Sequence, residues 1–388
     1  MKEPVHILII PSWYPQSSGD IGGSFFREQA IALTKYGYKV GVISPQLQSL
    51  RKLKQYFSIP HGLHVELDEK IPTYRWYYLN TTPKLFKYNI NKWVRNGMKL
   101  FEKYIEDHGK PDVIHVHSIL SGAFLANEIK NKYNIPFLIT EHSTAYARGL
   151  INNNRILFLK SVLLNSSANI AVSNEFKILL NNIFEVNSWR YIPNIVNQDF
   201  LDAEISNKNN NFKYINICLL DPKKRVDILI YAFNEVLKKY PNLLLEIGGG
   251  GSEKLKLEKL VNELNIEKNV KFLGKLTRED VKIKVRESSV FVLSSEYETF
   301  GVVVIEALAL GKPVISTKCG GPESIIVPSV GILVERNSIH DLAKAMIYIY
   351  ENSNQYKSKL IKEYCKENFS ERIVVSKLAN IYSEILGK

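Results

Sequence analysis

The chain has 388 residues, 45% hydrophobic and 23% charged, a globular composition that suffices for two α/β domains and excludes bulk disorder. Its three cysteines, Cys218, Cys319 and Cys365, are scattered, match no metal spacing and no disulfide framework, and point to a reducing cytoplasm. The net charge of +12 raises nucleic acid as a partner, but no recognition-module signature accompanies it.

In chain order, Val5 to Ile10 is an apolar run of six residues, too short for a signal peptide or a membrane span, and it reads as a buried strand. A loop carrying Gly22 and Gly23 leads into a helix from about Ser24 to Tyr36. Glycines there let a ligand approach the backbone and leave helix N–H groups open to it, although a glycine pair is a weak signal alone. Arg27, just inside that helix, reads more readily as a surface charge than as a ligand contact. A strand follows over Lys39–Ser44.

Between residues 84 and 104, Lys84, Lys87, Lys92, Arg95, Lys99 and Lys103 interleave with Phe86, Trp93, Phe101 and Tyr104. Two readings stand side by side: contact with an anionic membrane surface, or an amphipathic helix with inward aromatics and a solvated lysine face. Val113–His117, Pro136–Thr140 and Asn169–Val172 continue the strand series. His115 and His117 share one face of their strand, with Val116 on the other; no third metal ligand is suggested. His142 follows a strand and so lies at its carboxyl end, where functional groups of such sheets gather; Glu141 is a weaker candidate.

The polar stretch Asp202–Lys213 reads as a linker. A second alternating series starts at Tyr214 and includes Leu243–Ile247, Val270–Leu273, Val290–Leu293 and Val314–Ser316. The fold class is therefore α/β, with two Rossmann-like domains, residues 1–200 and 201–370, facing a cleft. The glycine run at 248–253 lacks the Lys-Ser/Thr of a P-loop. The tail from Phe369 reads as a helix with Ser370 as its N-cap and Ile373, Val374, Leu378, Ile381, Tyr382 and Ile385 on its apolar face.

The most informative stretch runs from Ser294 to Val334. Glu298 and Glu306, eight positions apart, enclose Phe300-Gly301 and an apolar run from Val302 to Ile305. A strand, a glycine-bearing turn, a helix and a second strand put a helix start at the carboxyl end of the sheet, where its N–H groups attract phosphate. The two carboxylates suit hydroxyls on either side of that phosphate, and one anion cradle between two hydroxyl readers fits a nucleotide-sugar. Taken alone, acids near a helix start are ordinary, because they favour the positive end of the dipole.

The whole string, E-x7-E with F-G inside, then EALALGKPVI, then GGPES, resembles the signature of retaining nucleotide-sugar glycosyltransferases of family 4, bacterial surface-polysaccharide enzymes among them. The resemblance implies the two-domain GT-B fold, with the last helix (371–388) crossing back onto the first domain. It implies a donor site of Gly22, Gly23, Lys224, Arg225, Glu298, Phe300, Gly301, Val302 and Glu306, and catalytic roles for His142, Glu298 and Lys224. Glu306 would accept hydrogen bonds from the ribose and Glu298 from the transferred sugar. In CLLDPKKRVD (218–227), Lys224 and Asp227 match the family pattern, Arg225 replaces a glycine, and Leu219 stands where a phosphate-binding arginine is usual. Ile195 and Asn197 replace the glycine and aspartate of an interdomain motif, and 272–276 resembles the segment edging the base.

The expected activity is metal-independent transfer of a hexose-type sugar from a nucleotide diphosphate, a UDP-sugar foremost, to a glycan or lipid-linked hydroxyl acceptor. No cofactor and no metal ligand is expected, and no D-x-D pair is present. The location expected is the cytoplasm or the inner membrane face. The rivals are a nucleotide-sugar epimerase on the same fold and a non-catalytic sugar-nucleotide-binding protein.

Overall fold

The structure, a computed structural model, describes residues 3–15, 23–49, 61–82, 85–206 and 212–388. The chain divides into two compact units: Met1–Val172, Lys177–Ile192 and Val374–Lys388 form one, Ser173–Phe176 and Pro193–Ile373 the other. Gly22 and Lys84 lie outside the described residues.

The first unit runs β1 (His6–Pro11), α1 (Ser24–Lys35), β2 (Lys39–Ser49), β3 (Gly62–Asp68), β4 (Ile71–Asn80), α2 (Phe86–His108), β5 (Val113–His117), α3 (Phe124–Tyr133), β6 (Phe137–Glu141), α4 (Asn153–Leu163), β7 (Ala168–Ala171), α5 (Asn174–Phe184) and β8 (Trp189–Tyr191). Among the described residues these strands form one eight-stranded sheet in the order β3-β4-β2-β1-β5-β6-β7-β8. The pairings are parallel except that of β3 with β4. Ile7 to Ile10 are fully buried, as expected of a central parallel strand covered on both faces.

The β3–β4 pair departs from the strict strand–helix alternation read from the sequence. Both segments carry its local signal: β3 alternates half-buried and exposed residues, and β4 is rich in the aromatics that favour strands. β2 also outruns Ser44, because its second half pairs with β4 as far as Asn80.

α2 packs the aromatics of its basic sequence inside the first unit. Trp93, Phe101 and Tyr104 are buried, and the Tyr104 hydroxyl meets His6 Nε2 at 2.7 Å. The aromatics pack inward. Lys92 and Lys99 lie over the rings of Tyr78 and Trp76, and Lys103 pairs with Asp107 at 2.7 Å.

The second unit contains α6 (Gln198–Asp202), β9 (Lys213–Ile217), α7 (Val226–Lys239), β10 (Leu244–Gly248), α8 (Lys254–Glu263), β11 (Val270–Gly274), α9 (Arg278–Glu287), β12 (Val290–Leu293), α10 (Val302–Ala309), β13 (Val314–Thr317), β14 (Gly331–Val334), α11 (Ile339–Glu351) and α12 (Ser358–Phe369). Among the described residues its sheet has six strands, all parallel, in the order β11-β10-β9-β12-β13-β14. That is the doubly wound order, which reverses direction between β9 and β12 and opens a crevice at their carboxyl ends.

The final helix, α13 (Glu371–Leu386), follows Ser370, whose extended backbone separates it from α12. From Val374 onward it clusters with the first unit, where Tyr382 is buried and its hydroxyl meets His115 Nδ1 at 2.7 Å.

Candidate functional site

In the second unit, the segments that follow β9, β12 and β13 converge at the switch point. After β9, a short turn at Pro222–Lys224 is capped by the Asp221 side chain and fastened to the end of β12. The Ser294 hydroxyl donates to the Lys224 carbonyl at 2.9 Å, and the Glu296 N–H donates to the Lys223 carbonyl at 2.8 Å. This fixes the Lys224 backbone, and its ammonium reaches Glu298 Oε1 at 2.5 Å. The Ser295 hydroxyl donates to the same oxygen at 2.9 Å. Burial alone would lower the Lys224 pKa, but the adjacent Glu298 carboxylate outweighs it and holds the ammonium above its usual range. Two cysteines lie within its electrostatic reach: burial pushes the Cys218 thiol up to about 12 and Cys319 higher still.

Behind this pair α10 begins. Gly301 caps it at φ 98°, a left-handed conformation that glycine adopts without strain. Gly321, after β13, lies so close to Phe300 that a Cβ there would stand 2.4 Å from its backbone nitrogen. The GGPES loop is thereby packed against the turn that carries Glu298, whose N–H donates to the Cys319 carbonyl at 2.9 Å. The two glutamates thus have separate settings. Glu298 stands in the loop with Lys224. Glu306, in the second turn of α10, is 2% exposed and pairs with Arg278 Nη2 at 2.8 Å.

Arg225 takes the other direction. It sits at φ 46°, the conformation for which a glycine is the ordinary choice, and its guanidinium is held by Asp227 at 3.0 Å and by Asn337. Leu219, in the place of the usual arginine, is 61% exposed. Among the residues singled out from the sequence, Lys224 is therefore the cation that meets Glu298.

The first unit holds the remaining candidates. Gly23 caps α1 at φ 81°. Arg27 is a correction to the surface-charge reading: it is buried, and its Nε donates to Asp68 at 2.9 Å. Arg75, fully buried, joins it at Asp68, with Nη2 3.5 Å from Oδ2, and also pairs with Glu66 and donates to the Pro15 carbonyl at 2.9 Å. The buried partners lie on β3 and β4, so Arg27 alone in the sequence gave no cue.

His142 follows β6 and is buried against Phe25 and Phe26, with its Nε2 3.1 Å from His117 Nδ1. Glu141 fixes the backbone around it by accepting from the Ser118 hydroxyl and from the N–H groups of Ile119, His142 and Ser143, each at 2.8 Å. His115 stacks on His117 with ring centroids 4.5 Å apart, and its Nε2 meets the Thr140 hydroxyl at 2.8 Å. Burial lowers the pKa of His115 and His142 to about 3, and that of His117 well below 6.5.

These histidines have an acid signature. The unfolded chain takes up protons as pH falls below 6.5, while the folded imidazoles refuse them until about 3. Their contribution is complete above 6.5 and is lost as pH drops through that window, by up to roughly 1.4 kcal/mol per pH unit for each histidine. The urea midpoint is expected to fall steadily from pH 6.5 to 4, and less steeply in His115→Gln. Equal slopes for the two proteins would remove His115 from this account.

Residues that sequence reasoning missed include Arg278 and Ser295, which contact the two glutamates. Arg278 opens a helix with an ordinary Thr277–Asp280 capping box, and nothing in that pattern announces its partner.

Residues 22–200 match a family described as Glycosyltransferase Family 4, and residues 197–367 one described as Glycosyl transferases group 1. An uncharacterized glycosyltransferase of Methanocaldococcus jannaschii is 29% identical over 318 residues, 80% of this chain and 86% of that protein. A sucrose-phosphate synthase structure from Thermosynechococcus elongatus superimposes with a TM-score of 0.78 at 21% identity, covering 99% of both chains. An Anabaena protein solved with UDP-glucose gives 0.71 at 17% identity, covering 98% of this chain and 99% of that one.

Proposed function

The chain belongs to the glycosyltransferases of the GT-B family, a family 4 domain followed by a group 1 domain, and on that premise we propose that it transfers a hexose-type sugar from a nucleotide diphosphate to a hydroxyl acceptor with retention of configuration. The observation that carries this reading is the Lys224–Glu298 pair at the switch point of the second sheet, beside the start of α10. A cation and helix N–H groups suit the diphosphate, and a carboxylate suits sugar hydroxyls.

In this reading the bond between the anomeric carbon and the phosphate oxygen breaks as negative charge grows on the diphosphate. Lys224 and the N–H groups of Phe300 to Val302 stabilise that charge without a metal; fixed donors aimed at developing charge are commonly a large catalytic term. The acceptor oxygen bonds to the anomeric carbon on the same face, and its proton passes to the departing phosphate. Glu306 receives the ribose hydroxyls, Glu298 those of the transferred sugar, and His142 serves the reaction centre. Arg225, held by Asp227 and Asn337, has to leave these partners to reach the phosphate.

A panel of nucleotide-sugars, headed by UDP-glucose, tests the assignment through nucleoside-diphosphate release with and without sugar acceptors. Transfer that continues in excess chelator supports it. An epimerised donor formed without acceptor would replace it with the epimerase reading, and binding without turnover would leave a non-catalytic protein.

The acceptor we propose is a cell-surface glycan or its lipid-linked precursor, used in the cytoplasm or at the inner membrane face. Among the described residues no helix is long and apolar enough to cross a membrane. With the α2 aromatics inside, any bilayer contact through residues 84–104 rests on the lysines and arginine of the outer face. Charge reversal at Lys87, Arg95 and Lys99 is then expected to abolish binding to anionic vesicles; unchanged binding ends that part of the proposal.

A further inference from the structure

We infer that the amino-terminal edge of the second sheet holds a binding site for a phosphorylated sugar, formed by Lys312 and the start of α12. The site is separate from the switch-point crevice and does not rest on the transferase reading.

Strand order sets its place. Leu243 and Pro313 immediately precede β10 and β13, and Val290 opens β12. Around them opens a cavity of about 570 Å³, within the size range of small-molecule sites. Lys224, Glu298 and the start of α10 lie beyond the opposite, carboxyl ends of the same sheet, a strand's length away.

Charge makes the cavity selective. Lys312 lines it and is 8% exposed, yet its ammonium meets no hydrogen-bond acceptor or carboxylate among the described residues. The described residues that line the cavity include no aspartate or glutamate. Burial and the nearby positive charge of Arg286 lower the Lys312 pKa to about 8, and the side chain remains mainly an ammonium at pH 7. A buried charge is ordinarily paired, because desolvation without a counter-charge is costly. An anion in the cavity supplies that counter-charge.

α12 adds a second attraction. No side chain caps its start at Lys357, so the N–H groups of its first turn are open. Ser358, its first residue, lines the same cavity as Lys312. Gly311 packs against it so closely that a Cβ there would stand 2.8 Å from the Ser358 carbonyl oxygen. The Cys365 thiol donates to the Ile305 carbonyl at 3.2 Å and ties α12 to α10 further along. An ammonium beside the open start of a twelve-residue helix suits a phosphate group, which accepts several hydrogen bonds at once.

The rest of the cavity suits a sugar ring. It exceeds what a phosphate ion fills, and Tyr240 and Tyr350, with ring centroids 4.7 Å apart, form part of its lining. α7 ends next to Tyr240, and Tyr350 lies in the last turn of α11. Helix carboxyl ends carry partial negative charge, which disfavours a second anion and suits neutral hydroxyls that donate hydrogen bonds.

Calorimetric titration of the full chain with glucose 6-phosphate, mannose 6-phosphate and N-acetylglucosamine 6-phosphate tests the site, with inorganic phosphate and glucose as controls. At least one sugar phosphate is expected to bind more tightly than either control. Lys312→Met is expected to weaken that binding roughly 10- to 150-fold, the effect of losing a hydrogen bond to a charged group. It should melt no lower than the wild type, because it removes an unpaired buried charge. Ser358→Ala changes a hydroxyl that has no hydrogen-bond partner among the described residues, and should weaken binding roughly 2- to 12-fold. Should Lys312→Met fail to fold, Ser358→Ala decides. Lys224→Ala, altered only in the switch-point crevice, should bind the sugar phosphate as the wild type does. Absence of sugar-phosphate binding, unchanged affinity in Lys312→Met, or loss of binding in Lys224→Ala would each overturn the inference. Inorganic phosphate binding as tightly as every sugar phosphate would overturn it too, leaving a site for the anion alone.

Discussion

Lys224→Ala is expected to reduce sugar transfer by about 10²- to 10³-fold, the usual cost of deleting one preorganised donor to developing negative charge. The loss should fall on kcat, because the charge that Lys224 meets is small in the bound donor and large at departure. Leu219 makes the case sharper. With an exposed leucine at the position of a usual phosphate-binding arginine, and Arg225 held by Asp227 and Asn337, neither neighbour substitutes for Lys224 where they stand. The same substitution leaves Glu298, 12% exposed at its side chain, without its cation. Removing one partner of a largely buried pair destabilises more than removing both. Lys224→Ala/Glu298→Ala should therefore melt above Lys224→Ala alone while remaining inactive. Near wild-type turnover by the folded Lys224→Ala enzyme would overturn the leaving-group assignment.

Glu306→Ala should act on a different parameter. Ribose hydroxyls do not change during transfer, so their hydrogen bonds contribute equally to ground and transition states, and losing them raises KM more than it lowers kcat. Hydrogen bonds to a charged group contribute about 1.5–3 kcal/mol each, which corresponds to roughly a 10- to 150-fold rise in donor KM. A donor lacking the ribose 2′-hydroxyl sharpens the test. The wild-type enzyme should discriminate strongly against it, and Glu306→Ala should treat the two donors alike. Arg278 sets the background, because its guanidinium pairs with Glu306 and lies over the Phe200 ring at 5.2 Å. Arg278→Ala should weaken donor binding through a less ordered Glu306, and by less than Glu306→Ala does. If Glu306→Ala keeps the wild-type preference for ribose, the glutamate reads something else.

Much of the second domain was legible because its signals are local. Each parallel strand is a short apolar run, and the Glu298–Glu306 spacing, Gly301 and the GGPES loop lie in one contiguous stretch whose topology places it at the switch point. What escaped the sequence was pairing between distant residues. Arg278 and Glu306 come from different helices, and Arg27 finds Asp68 only because β3 and β4 add an antiparallel pair to the first sheet. The lysines and aromatics of α2 had two consistent readings, since an amphipathic face does not say what covers it; packing onto the first unit turned the aromatics inward. The His117–His142 contact lay between those cases. Both residues were visible at strand ends, but strand order alone made β5 and β6 neighbours.

A crystal structure with an intact nucleotide-sugar bound tests the central claim most directly. The account predicts the ribose hydroxyls on Glu306, the transferred sugar on Glu298, and the diphosphate against the Lys224 ammonium and the N–H groups of Phe300 to Val302. A donor bound elsewhere, with Lys224 still engaged by Glu298 alone, would contradict it.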